Sequence, residues 1–369
     1  MSLRFCFPCL FGLEGLCADE LKRLGFNDVK TENGRVTFSG ELSDIAKANI
    51  NIRTGERVLL IVGEAPANTF DELFDAVQSM LWEDFITVDG AFPVKGHALN
   101  SNLHSIPDCQ KVIKKAIVER LKAKYKTDAL KETAEKYPIQ FSIMDNVATL
   151  YIDTSGAGLH KRGYRPVKSI APLRETLAAA IVKLSRYKGR EIVCDPFCGS
   201  GTIPIEAALA AINRAPGLNR AFVAESWTWV DKNIWEIAKE EAKSREFKGE
   251  YRIISSDIDP NCIEAAKENA KRAGVVEYIT FNVADATQYQ TFEKSTLILT
   301  NPPYGERVME KSQAEDLYRR FGAATRQLDN CKMYILSSHT EFERTFGKKA
   351  TKKRKLYNGM IKCDLFMYY

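Results

Sequence analysis

Residues 191–212 read Glu191-Ile-Val-Cys-Asp-Pro-Phe-Cys-Gly-Ser-Gly-Thr-Ile-Pro-Ile-Glu-Ala-Ala-Leu-Ala-Ala-Ile212. An apolar strand runs into an acid, a glycine turn follows, and an apolar helix runs out. Gly199 and Gly201 let the backbone turn sharply and approach a ligand closely. The dinucleotide fingerprint G-x-G-x-x-G and the Gly-Lys-Ser/Thr of a phosphate loop are both missing here. Asp195 instead ends the strand, where it suits a cationic amino group such as that of the methionine part of S-adenosyl-L-methionine. Phe197 and Thr202 flank the turn as further cofactor candidates. A purely structural glycine turn has the same spacing, so this stretch needs support from its surroundings.

Three more polar groups sit where strands end. In Ser255-Ser-Asp-Ile-Asp-Pro260, Asp257 closes an apolar strand and suits the two hydroxyls of a ribose. Asp259 suits that role or the N-cap of the next helix. Asp285 follows the strand ITFNV and suits an adenine amino group. Asn301-Pro302-Pro303-Tyr304 follows LILT. Its prolines stop the strand and stiffen the turn, aiming the Asn301 amide oxygen and the Pro302 carbonyl at one point. An aromatic amine is a poor nucleophile because its lone pair is delocalised into the ring. Two acceptors on its N–H bonds draw it toward a pyramidal shape and free that lone pair. Tyr304 suits stacking on the base, a contact of about 1–3 kcal/mol. No metal is required, because a sulfonium supplies the leaving group and positioning supplies most of the rate.

Around these signals strands and helices alternate: strands at 192–195, 252–257, 279–283, 297–300 and 333–337, helices at 202–212, 260–272 and 314–328, and a closing strand pair at 353–357 and 361–368. This rhythm predicts a Rossmann-like α/β domain over 172–369, doubly wound and mostly parallel. A helix starting at Pro172 precedes it. Residues 214–250, with Trp227, Trp229 and Trp235, read as an insertion. Upstream, 1–66 alternates β-α-β-α-β, an α+β module of ferredoxin-like type. A second binding module spans 67–155, with helices opening at the capping box Thr69/Glu72 and at Ser105, a strand at 92–99 and a hairpin over 139–152. Residues 156–171 form a basic linker.

The chain has 369 residues and a net charge of +5, enough for two or three cores and too mild by itself to identify a nucleic-acid binder. The charge is concentrated in KKATKKRK (348–355) and HKRGYRPVK (160–168), which together favour an anionic partner. Nine irregularly spaced cysteines read as reduced thiols, and Cys6-x-x-Cys9 lacks a second pair for zinc. No run approaches the ~20 apolar residues of a membrane span, and MSLRFCFPCLFGLEG lacks the pattern of a secretory leader. The expected location is cytoplasmic.

DPFCGSGTIPIEAA, SSDIDPNCIEAAKENAKRAGV, TNPPYGER, GAGLHKRGYR, APLRETLAAAI and KLYNGMIKC resemble the THUMP-domain RNA methyltransferases, the family of bacterial large-subunit (23S) ribosomal RNA guanine-N2 methyltransferases and related tRNA enzymes. The resemblance runs from end to end. It implies a class I S-adenosylmethionine-dependent domain at 172–369, a ferredoxin-like module at 1–66 and an RNA-binding THUMP domain at 67–155. It further implies methyl transfer to a guanine N2 amino group, with Asn301, Pro302, Pro303 and Tyr304 catalytic and Asp195, Phe197, Gly199, Gly201, Thr202, Asp257 and Asp285 around the cofactor. Lys161, Arg162 and Arg165 are the candidates for RNA phosphates. A tRNA guanine-N2 enzyme, a DNA adenine-N6 enzyme and a non-catalytic RNA-binding assembly factor are the alternatives. A protein glutamine methyltransferase shares the tetrapeptide but has no use for the N-terminal half.

Overall fold

A computed structural model describes residues 2–165, 173–288, 295–304, 310–326, 328 and 330–369. Linker residues 166–171, the expected helix start at Pro172 and the Gly305-Glu306-Arg307 end of TNPPYGER lie outside the described residues.

The N-terminal module contains β1 (Leu3–Pro8), α1 (Glu14–Arg23), β2 (Asn27–Glu32), β3 (Arg35–Gly40), α2 (Asp44–Asn51) and β4 (Leu59–Pro66). The order is therefore β-α-β-β-α-β, one strand more than the sequence suggests. β2, NDVKTE, has no buried residue and pairs only with β3, so it lacks the alternation that marks a half-buried strand. The second module contains α3 (Phe70–Ser79), β5 (Val94–Leu99), α4 (Ile106–Tyr125), β6 (Ile139–Met144) and β7 (Val147–Asp153). Thr69 caps α3 as expected, its hydroxyl accepting the Glu72 amide at 3.2 Å, while the Glu72 carboxylate reaches the Asn68 amide. Ser105 makes no cap, because its hydroxyl donates to the Asp108 carboxylate.

The two modules share one seven-stranded sheet, β2-β3-β1-β4-β7-β6-β5. The seam is the antiparallel pairing of β4 with β7, from Leu59↔Asp153 to Pro66↔Val147. This makes the N-terminal half a continuous platform.

The C-terminal domain contains α5 (Glu175–Leu184), β8 (Ile192–Asp195), α6 (Thr202–Ala211), α7 (Asn233–Ser244), β9 (Ile253–Asp257), α8 (Pro260–Ala273), β10 (Ile279–Val283), β11 (Thr296–Thr300), α9 (Lys311–Thr325), β12 (Cys331–Ser337), α10 (Phe342–Phe346), β13 (Lys352–Asn358) and β14 (Ile361–Tyr368). Its sheet order is β10-β9-β8-β11-β12-β14-β13. All pairings from β10 to β12 are parallel, and β14 runs antiparallel between β12 and β13. The winding reverses between β8 and β11, which opens a crevice at their carboxyl ends. α6 is buried on nearly every side, as its mostly apolar sequence requires, with Glu206 as its one buried acid.

The insertion at 214–250 contains α7 and docks on the N-terminal platform. Trp227 is buried, stacks on Tyr137 with centroids 5.3 Å apart, and donates its indole N–H to the Lys136 carbonyl. Trp229 packs edge-on against Phe85 and donates to its carbonyl.

Two arginines of the basic linker face inward, which corrects their expected RNA contacts. Arg162 is 3% exposed; its guanidinium meets the buried Glu206 at 3.4 Å and donates to the carbonyls of Leu159 and Arg53. Arg165 pairs with Glu175 and reaches the Thr202 hydroxyl. Arg162 is a strut between the N-terminal module and α6, whereas Arg165 braces the linker against α5 and α6. Lys161 alone of the three is exposed. No described helix is long and apolar enough to cross a membrane.

Candidate active site

The four strand-end signals converge at the crevice, and three hydrogen bonds join them. Thr300, the residue before Asn301, donates its hydroxyl to Asp195 Oδ1 at 2.6 Å. The Gly199 amide donates to Asp257 Oδ2 at 2.9 Å. The Ala284 amide, next to Asp285, donates to the Asp257 carbonyl at 3.0 Å.

Asp195 is 2% exposed. Burial pushes its carboxyl up to about 7, with the Asp257 charge adding, against the Thr300 hydroxyl and the Phe197 amide, which favour the carboxylate. A fixed positive charge is what such a group lacks. Gly199 has φ +51° and open space where a Cβ would project, the condition for a ligand lying against the backbone. Gly201 has a different reason to be glycine: a Cβ there would come within 2.9 Å of Ala266, on α8. Phe197 is braced edge-on by Phe321 of α9. Thr202 is buried, with its hydroxyl toward Arg165.

Asp257 accepts the Gly199 amide on one oxygen and the Asp259 amide on the other, so each oxygen keeps a lone pair. Asp259 caps α8, its Oδ1 accepting the Asn261 amide at 2.9 Å. Asp285 takes the Thr287 amide and hydroxyl on Oδ1, and Arg320 stands 3.6 Å from Oδ2. The Thr287 amide bond chiefly holds its carboxyl below the usual range, helped by the Thr287 hydroxyl and Arg320.

Asn301 Oδ1 is buried and has no hydrogen-bond partner among the described residues. An orphaned acceptor of this kind costs the fold about 1–3 kcal/mol. The rest of the tetrapeptide is held firmly. The Pro303 carbonyl accepts the Tyr318 hydroxyl at 2.6 Å. The Tyr304 hydroxyl accepts from Asn358 Nδ2 at 3.2 Å and lies 3.7 Å from Cys363 Sγ. Burial pushes the Tyr304 hydroxyl pKa up, so it stays a phenol. Thr300, Tyr318, Asn358 and Cys363 were not singled out from sequence. Thr300 carries a weak signal, as a hydroxyl closing an otherwise apolar strand. Asn358 and Cys363 lie in KLYNGMIKC, far along the chain from the group they hold.

Comparison with known proteins follows the same division. A family model described as "RMKL-like, methyltransferase domain" matches residues 162–366, an "RlmL ferredoxin-like domain" matches 4–59, and a "THUMP domain" matches 67–153. "Putative RNA methyltransferase YpsC" of Bacillus subtilis is 43% identical over 97% of this chain and 94% of its own. "Ribosomal RNA large subunit methyltransferase K/L" of Psychromonas ingrahamii is 35% identical over 99% of this chain, which spans only 50% of that relative. Among solved structures, a "predicted N6-adenine-specific DNA methylase" from Listeria monocytogenes superposes with TM-score 0.94 at 44% identity, covering 100% of this chain and 96% of that one. SMU.472, "a putative methyltransferase complexed with SAH", superposes with TM-score 0.93 at 37% identity, covering 100% and 98%.

Proposed function

The chain belongs to the RMKL-like methyltransferase family, joined here to RlmL-type ferredoxin-like and THUMP domains, and from that premise we propose that it methylates the exocyclic N2 amino group of a guanine in large-subunit ribosomal RNA. The domain is S-adenosylmethionine-dependent, and the THUMP domain makes RNA the substrate class. The observation that carries the chemistry is the buried, unpartnered Asn301 Oδ1 at the carboxyl end of β11.

The cofactor, when bound, supplies an electrophilic methyl group on a sulfonium and leaves as a neutral thioether. In this reading Asp195 would meet its ammonium, Asp257 its ribose and Asp285 its adenine, while the backbone at Gly199 would admit its close approach. Asn301 Oδ1 accepts one N–H of the target amine, and the Pro302 carbonyl accepts the other. Held by these two acceptors, the amine would have its lone pair freed from the ring for the methyl group that the cofactor would supply, and would lose one N–H proton to solvent after the transfer. Tyr304, fixed by Asn358, packs against the base plane. A base paired in a helix cannot enter such a crevice, so the target nucleotide is flipped out or already unpaired.

The test is transfer of labelled methyl groups from S-adenosylmethionine to ribosomal RNA, tRNA and DNA taken from cells lacking the protein. Label confined to ribosomal RNA supports the proposal. Label confined to tRNA moves the substrate and keeps the chemistry. Label in DNA contradicts the RNA assignment.

A further inference from the structure

Between the N-terminal module and the methyltransferase domain lies a cleft of about 1110 Å3. Its walls are α1, the end of α5 with the turn after it, and the edge of the second sheet where β11 and β12 begin and β14 ends. Asp195, Asp257 and Asn301 stand at the opposite ends of these parallel strands. A strand's length, on the order of 15 Å, therefore separates the cleft from the candidate active site.

Ten lysines and arginines line the cleft against four acids. Three of the acids are already engaged. Glu20 accepts the amides of Arg53 and Thr54 and the Thr54 hydroxyl. Glu206 faces Arg162 and Tyr164, and Glu191 accepts the Lys188 amide. Arg23, Arg186, Lys188, Lys332 and Lys352 are exposed, and no described acidic side chain pairs with them. Strand alternation divides the basic run at 348–355: Lys352 and Arg354 line the cleft, whereas Lys353 pairs with Glu343 at 2.7 Å. Tyr187 and Tyr369 add aromatic surface, and Tyr334 is buried beneath it. Cations beside aromatic rings suit single-stranded nucleic acid, with phosphates on the charges and bases on the rings.

We propose that this cleft is a second RNA site, which holds the backbone of a single-stranded segment away from the target nucleotide. It rests on the reading that the substrate is RNA. The site would let the enzyme grip a long substrate independently of the chemistry at Asn301.

The experiment measures binding of a fluorescent oligouridylate to the full chain as a function of salt. The variant carries Arg23→Glu, Lys188→Glu, Lys332→Glu and Lys352→Glu. A control carries the same charge change on α7 and α8: Lys243→Glu, Lys267→Glu, Lys271→Glu and Arg272→Glu. Four lost phosphate contacts lower the salt slope of a single strand by about 3, so a fourfold rise in salt should weaken the wild type about 50-fold more than the cleft variant. The control should keep the wild-type slope. S-adenosylmethionine binding by calorimetry confirms that each variant is folded; should the cleft variant fail this check, glutamine replacements at the same four positions take its place. Equal slopes in wild type and cleft variant overturn the proposal, as does absence of binding by the wild type. The readout is binding, so a protein that grips the oligonucleotide through the cleft yet methylates no RNA would refute the proposed function and leave the cleft standing.

Discussion

Asn301→Ala is expected to separate stability from turnover. The buried Oδ1 has no partner among the described residues, and leaving it so costs about 1–3 kcal/mol. Removing it takes away that penalty along with a small amount of packing, so the cofactor-free protein should be no less stable than wild type in urea unfolding. Affinity for S-adenosylmethionine should be nearly unchanged, because the cofactor is assigned to Asp195, Asp257 and Asp285. Single-turnover methyl transfer should fall by about 100–1000-fold, the usual loss when one pre-aimed hydrogen-bonding group is removed from a reacting centre, equivalent to about 3–4 kcal/mol. The reasoning is refuted if the variant loses more than about 1 kcal/mol of stability while its turnover is preserved. Asn301 would then be a structural residue with an unrecognised partner.

Arg162→Ala should destabilise the protein by about 3–5 kcal/mol, because Glu206 would be left as a buried acid without its ion-pair partner, keeping the Tyr164 hydroxyl; denaturation at neutral pH reads this, and a change under about 1 kcal/mol contradicts the strut. Asp257→Ala should weaken cofactor binding, whereas Asp259→Ala should keep it and lose only the α8 cap, about 1 kcal/mol; calorimetry on both variants decides, and the opposite pattern moves the ribose to Asp259. Asp195 has a carboxyl raised from its ordinary 3.8 to about 7. Its burial therefore costs nothing while it is protonated in both states, below about pH 4, costs progressively more as pH rises, and costs fully above about pH 7. If the carboxylate receives the cofactor's ammonium, affinity should rise up to about tenfold per pH unit toward pH 7 and then level off. Asp195→Asn should flatten that profile, and a flat profile in the wild type contradicts the assignment.

The catalytic half is legible in the sequence because its signals are local. An acid closing an apolar strand, a glycine turn and a proline-stiffened amide each fit within eight residues, and alternating strands and helices fix their order. What escaped depends on partners distant in the chain. Arg162 and Arg165 read as solvent-facing phosphate ligands because Glu206 and Glu175, which neutralise them, come from helices of the following domain. The union of the first two modules depends on β4 pairing with β7 across a whole module, which no local pattern encodes. β2 is invisible because an edge strand with both faces in water has no hydrophobic period. The insertion shows its tryptophans, but not that Trp227 and Trp229 fasten it to Lys136 and Phe85. Asp257 and Asp259 look alike until the helix N-terminus claims Asp259.

Guanine amino-group methylation directed by Asn301 is tested by nucleoside analysis of large-subunit ribosomal RNA from cells lacking the protein, after incubation with S-adenosylmethionine and either wild type or Asn301→Ala. N2-methylguanosine is expected with the wild type and almost none with the variant. Methyl recovered on another atom, such as adenine N6, or equal yields from the two proteins, would contradict it.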